Sequence, residues 1–71
     1  MEQLLDNAEA LGPLVRARRH ELGVTQIELA DIARTGVRFI SDLETGKRSV
    51  RLETVLKVLD ALGLELVART R

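Results

Sequence analysis

Residues 25–47, TQIELADIARTGVRFISDLETGK, decide how the rest of the chain is to be read. Thr25 with Glu28 three places on is a capping box. The threonine oxygen takes one orphan amide of a first helical turn, and the glutamate returns to another. A helix therefore begins at Thr25, with Leu29, Ala30 and Ala33 as its apolar face. Alanine at 30 and 33 lets a neighbouring helix approach closely. Gly36 interrupts, and a further helix fits residues 37–44. There Ile40 and Leu43 point one way with Phe39 on the flank, while Arg38, Ser41, Asp42 and Thr45 point the other. Gly46 closes this helix, and Lys47, Arg48 and Ser49 follow as a basic loop.

Two short helices, the first carrying small residues where it crosses the second, make a helix-turn-helix. The second of them presents a polar face suited to the major groove of DNA, and helix N-termini face phosphates. The plain competing reading is a miniature four-helix bundle. Such a bundle has no need of a polar third helix beside a basic loop.

Upstream, Leu11, Leu14, Val15 and Leu22 form another helical stripe, with Arg16, Arg18, Arg19, His20 and Glu21 between them. Pro13 is tolerated only in a first turn, so this helix starts between residues 8 and 13, and Gly23 ends it. His20 has no partner at useful spacing and is read as a solvated side chain. Downstream, a fourth helix over residues 52–62 places Leu52, Val55, Leu56, Leu59 and Leu62 inside, with Arg51 a poor cap and Gly63 the stop. LELVAR, residues 64–69, then alternates Leu64, Leu66 and Ala68 against Glu65, Val67 and Arg69, the pattern of one short strand.

A chain of 71 residues is expected to form a single domain spanning 1–71, with a helical core over 11–62. A chain this short buries only about 60% of its unfolded surface. It has no cysteine and one aromatic residue, Phe39, so Leu, Val, Ile and Ala must build the core without disulfide or thiolate bracing. Self-association is the expected supplement. No apolar run is long enough for a bilayer. Residues 1–10 hold Glu2, Asp6 and Glu9 and no base, which does not suit a signal peptide, so a cytoplasmic, nucleoid-associated protein is expected.

Eleven bases balance eleven acids, but unevenly. Residues 34–51 hold Arg34, Arg38, Lys47, Arg48 and Arg51 against Asp42 and Glu44, a local charge of +3. Residues 1–10 carry −3 and residues 52–66 carry −2, so one basic region is flanked by acidic ones. Patches matter more than totals for DNA binding.

The segments RARRHELGVTQIELA and FISDLETGK resemble the Xre or phage-repressor group of helix-turn-helix proteins. VRARRHELGVTQ, RFISDLETGK and VRLETVLKVLDALGLEL are similar to HipB-type antitoxins, and the likeness runs from about Leu11 to Val67. The resemblance implies a mainly α, lambda-repressor-like helix-turn-helix bundle of four helices, with a short C-terminal β-strand paired across a dimer. It also implies roles. Gln26 contacts phosphate and can reach a base edge. Val37 and Arg38 are the principal base readers, with Ser41 and Asp42 one turn further along the groove. Lys47 and Arg48 hold the DNA backbone. Arg19 pairs with Glu44 to tie the first helix to the end of the third. Beyond what the resemblance implies, Thr25 and Thr45 are expected to join Lys47 and Arg48 at the backbone, and so is Arg34, a departure from the family that adds a cation close to the DNA face. Apart from the resemblance, the lone strand has no partner edge within the chain, so Leu64, Leu66, Val67 and Ala68 are expected to pair with a second copy as the dimer interface. The implied partners are a palindromic operator, a second copy of the chain and a HipA-type kinase toxin.

The sequence departs from the family at the turn, where Arg34, Thr35 and Gly36 stand in place of a glycine, an aliphatic residue and a serine or threonine cap. Arg34 in a left-handed conformation costs roughly 1 kcal/mol or more. Alternatively Thr35 caps the next helix, or Gly36 takes the left-handed conformation two places along. The shifted turn is the expected solution.

No enzyme is expected. GKRS lacks the upstream glycine and the following hydroxyl of a phosphate loop. One histidine and no cysteine leave almost no material for a nucleophile–base pair or a zinc site, so no metal or cofactor is expected either. The rivals to an operator-binding antitoxin are a free-standing regulator of a phage, plasmid or restriction system, and a protein-interaction module without DNA binding.

Overall fold

In the computed structural model, which describes residues 2–71, a 3-10 turn at Ala8–Ala10 leads directly into α1, Leu11–Glu21. Asn7 caps the turn by accepting from the Ala10 amide at 3.0 Å. Pro13 lies in the first turn of α1, where its missing N–H breaks no helical bond. Helices α2 (Gln26–Ala33), α3 (Val37–Glu44) and α4 (Leu52–Ala61) follow. The capping box forms as the sequence predicts. The Glu28 amide donates to Thr25 Oγ1 at 3.1 Å, and the Thr25 amide donates to Glu28 Oε1 at 2.9 Å. Hydrogen bonding from the Thr25 amide, and after it from the Thr25 side chain, holds the exposed Glu28 carboxyl below its ordinary pKa.

All four helices close in the same way. A left-handed residue donates three places back and its successor donates to the carbonyl one place further back, a Schellman arrangement. Gly23 and Val24 close α1 on His20 and Arg19, and Gly46 and Lys47 close α3 on Leu43 and Asp42. Gly63 and Leu64 close α4 on Asp60 and Leu59. At the end of α2 the left-handed residue is Arg34 (φ 58°, ψ 49°), with its amide on Asp31 at 3.2 Å and the Thr35 amide on Ala30 at 2.9 Å. This corrects the shifted turn expected from the sequence. Gly36 is extended (φ −80°, ψ 149°) as the N-cap of α3, and no side chain caps that helix. Continuing the pattern of the other three helices won over moving the left-handed residue.

The core joins Val15 of α1, Leu29, Ala30 and Ala33 of α2, Ile40 and Leu43 of α3, and Val55, Val58, Leu59 and Leu62 at α4. Helix α2 packs on α3 and α4, and α1 packs on α3. Two stripes were read too broadly from sequence. Leu22 is 47% exposed because the chain turns away at Gly23, and α4 buries Val58 while Leu52 and Leu56 stay 61% and 45% exposed. Leu52 sits in the first turn of α4, beyond the reach of the core, and Leu56 is one helical step off the buried Val55–Leu59–Leu62 stripe.

Glycine 12 accounts for how α1 meets α3. A Cβ built there would lie 2.4 Å from the Leu43 carbonyl oxygen and 2.8 Å from that of Glu44, so backbone meets backbone at this crossing. Arg18 makes a second link missed from sequence: its Nε donates to the Leu62 carbonyl at 2.9 Å, satisfying a carbonyl at the end of α4.

Among the described residues there is no strand. The chain after Gly63 forms no ladder, although Leu64 packs against the core and its amide closes α4 at 2.8 Å. Leu66 and Val67 stand 52% and 63% exposed, and Ala68 is exposed. A strand needs a partner edge, and this chain supplies none of its own. No helix is long and apolar enough to cross a membrane.

Candidate nucleic-acid interface

Helix α3 turns Ile40 and Leu43 inward, which fixes the opposite face outward. Val37 and Arg38, in its first turn, are exposed, and Ser41 and Asp42 one turn on are half-buried. The first-turn amides have no side-chain cap, so this end of the helix keeps donors available to an anion. The capped N-terminus of α2 comes close to it. Gln26 and Val37 border one open cleft of about 600 Å³, together with His20, Val24 and Ile27. The expected phosphate contact Gln26 and the first of the expected base readers, Val37, thus border the same cleft, while Asp42 lines a separate hollow with Lys47.

Behind that face lies a closed polar cluster. Arg19 Nε donates to Glu44 Oε2 at 2.7 Å and its NH2 donates to Oε1 at 3.0 Å, a bidentate pair. Its NH1 donates to the Val24 carbonyl at 2.9 Å. Gln26 Nε2 donates to Glu44 Oε1 at 3.1 Å, so the carboxylate also orients a side chain of the outer face. The two charged side chains are 10% and 3% exposed, and no buried side-chain polar atom among the described residues lacks a partner. Burial is the strongest single influence on Glu44 and pushes its carboxyl up. The hydrogen bonds from Arg19 and Gln26, with the charges of Arg19 and Arg16, outweigh it and hold the carboxyl below its ordinary range. The bond to Glu44 likewise raises the Arg19 guanidinium. His20 is exposed, as its spacing suggested, and its Nε2 lies 3.3 Å from Arg19 NH2.

The basic loop is less free than its sequence implies. Lys47 Nζ lies 3.6 Å from Asp42 Oδ2, and Arg48 pairs with Glu9 of the 3-10 turn. The Thr45 hydroxyl is turned back, donating to the Asp42 carbonyl at 3.0 Å. Arg34 is exposed at the bend, and Thr25 is exposed but engaged in the capping box. Gly12 and Arg18 belong to the frame of the site and were missed. A glycine inside a helix's first turn was the available signal for Gly12; nothing in the spacing marked Arg18 off from its neighbours Arg16 and Arg19.

Residues 15–68 match the family described as helix-turn-helix. The uncharacterized HTH-type transcriptional regulator y4mF of Sinorhizobium fredii is 46% identical over 56 residues, covering 79% of this chain and 74% of that protein. Among solved structures, HipB in its O1–O2 complex is 26% identical with a TM-score of 0.88, over 97% of this chain and 100% of that one. The same likeness, with 97% of each chain covered, holds for a HipA–HipB–O2–O3 complex. The restriction-modification controller protein C.AhdI of Aeromonas hydrophila is 29% identical with a TM-score of 0.74, over 82% and 84% of the two chains.

Proposed function

Since this chain belongs to the Xre-type helix-turn-helix family of DNA-binding transcriptional regulators, which are not enzymes, we propose that it is a dimeric operator-specific repressor and the antitoxin of a HipBA-like pair. The observation that carries this reading is the outward face of α3, where Arg38 stands exposed beside Val37 at the helix N-terminus while Ile40 and Leu43 anchor the opposite side. Val37, Arg38, Ser41 and Asp42 read base edges in the major groove. Thr25, Gln26, Thr45, Lys47 and Arg48 follow the backbone, the two loop cations exchanging Asp42 and Glu9 for phosphates. The antitoxin role is supported by near end-to-end likeness to HipB, a protein solved with operators and with HipA. On this reading the partners are a palindromic operator and a HipA-type kinase, in the cytoplasm. The fold of C.AhdI supports a second reading, a free-standing controller without a toxin. Copurification with the product of the adjacent gene separates the two: a bound kinase-like partner supports the antitoxin, and a protein that represses its promoter without one supports the controller.

Arginine to guanine O6 and N7 is the commonest specific contact, worth about 1–3 kcal/mol. Arg38→Ala should therefore weaken operator binding far more than binding to a mixed-sequence duplex. Equal losses on both, in a titration at one salt concentration, reduce Arg38 to a phosphate contact.

The tail supplies the proposed second subunit contact. Leu64, Leu66, Val67 and Ala68 pair antiparallel with themselves across a two-fold axis, an isologous interface whose inner face gives the exposed Leu66 a cover. Two recognition helices so related stand about 34 Å apart, one turn of DNA. Deletion from Glu65 onward spares the Leu64 closure of α4, so the bundle remains folded. The truncated chain should sediment as a monomer and lose most of its operator affinity; a truncated dimer removes the tail from the interface.

A further inference from the structure

Four helices in this chain end on the same hydrogen-bonded motif, three with glycine at the left-handed position and the fourth with Arg34. Glycine enters that conformation without penalty, whereas a residue with a Cβ is strained there. Arg34 is the only non-glycine residue with positive φ among those described. Its side chain returns nothing to the isolated fold. It is exposed, and its guanidinium makes neither a hydrogen bond nor an ion pair among the described residues. Lys47 and Arg48 in the nearby loop are both paired with carboxylates, so Arg34 and Arg38 are the cations of residues 34–48 left without an acidic partner. A charge held at a strained position, with no internal partner, points to an external one.

The geometry of a groove says which. The major groove is about 12 Å wide and a helix with its side chains measures about 10–12 Å across, so phosphate rows run against both flanks of an inserted helix. Arg34 stands three residues before Val37, the first residue of α3, at the bend that leads into it. We propose that Arg34 is a ligand of a DNA backbone phosphate beside the recognition helix, and that its side chain is kept at the turn for affinity against the interest of stability. This rests on the DNA-binding reading above and deepens it: the turn is a contact element as well as a connector.

Stability and affinity should then move in opposite directions in one variant. Arg34→Gly in the full chain relieves the strain, less the extra freedom glycine has when unfolded, and should raise the melting temperature by roughly 2–5 °C. The same protein should bind a mixed-sequence duplex and its own promoter fragment roughly tenfold more weakly at low salt. The slope of log affinity against log salt should fall by about one per subunit. Arg34→Asn tolerates the left-handed conformation without the charge and should show the same loss of binding. Arg34→Lys keeps the charge and most of the affinity and should melt no higher than the parent chain. Unchanged affinity and salt slope in Arg34→Gly and Arg34→Asn, with the parent chain binding both duplexes, overturn the role of Arg34 alone. A parent chain that binds neither duplex at any salt overturns the DNA-binding reading, and this proposal with it.

Discussion

Gly12→Ala should cost more stability than alanine at any other glycine of this chain. The new Cβ meets the backbone carbonyl oxygens of Leu43 and Glu44 at 2.4 and 2.8 Å, and neither can swing aside as a side chain would. Helix α1 must then move off the end of α3, opening the packing around Val15 and Leu43. Overpacking ordinarily costs about 1–3 kcal/mol, and contact with backbone puts this case at the upper end or beyond. Alanine's better helix propensity returns at most about 1 kcal/mol. At roughly 4–8 °C per kcal/mol for a domain of this size, the melting temperature should fall by about 10 °C or more. A thermal melt within two or three degrees of the parent would mean that the α1–α3 crossing has slack the structure does not show.

Glu44→Ala should be comparably severe for a different reason. It leaves the Arg19 guanidinium buried with two of its donors unpaired, and it releases the Gln26 amide. Breaking one side of a buried pair costs about 3–5 kcal/mol, because the remaining charge stays desolvated. A double-mutant cycle with Arg19→Met should show strong coupling, and additive losses would sink the pair as a unit. The pH dependence has a definite sign. The carboxyl of Glu44 is held below its ordinary value in the folded chain, so the folded state binds its proton less readily than the unfolded state. Its contribution is therefore present in full above the ordinary glutamate pKa of about 4.3 and is lost as pH falls through the lower folded value. Glu44→Gln should flatten that acid limb; an unchanged acid limb would assign it to other carboxylates.

Much of this was legible because several local rules agreed. The capping box at Thr25 and Glu28, the Ile40–Leu43 stripe and the glycine at 46 each point to the same two short helices. The Arg19–Glu44 pair was reached through family likeness, since 25 residues separate the partners and no local rule joins them. What stayed hidden depends on tertiary distance. The chain records that residue 12 is glycine but not that another backbone lies against it. The turn was not legible because hydrogen bonding to Ala30 and Asp31 outweighs the conformational cost at Arg34, and local preference records only the cost. In α4 the excess of leucine made the apolar face look wider than the core it meets. The loop cations looked free because Glu9 is remote in sequence from Arg48, and the chain had to fold before they met.

The crossing at Gly12 and the bidentate pair at Arg19 hold the same two helices at separate points, one through backbone contact and one through charge. A helix clamped twice cannot pivot independently of the body that carries it. Tuning of α3 to a less favourable operator is thus confined to rotamers of its outward side chains, while larger misfits pass to the duplex, which must bend, twist or alter its groove width. Base pairs that the protein never touches then enter the affinity through the stiffness of the DNA itself.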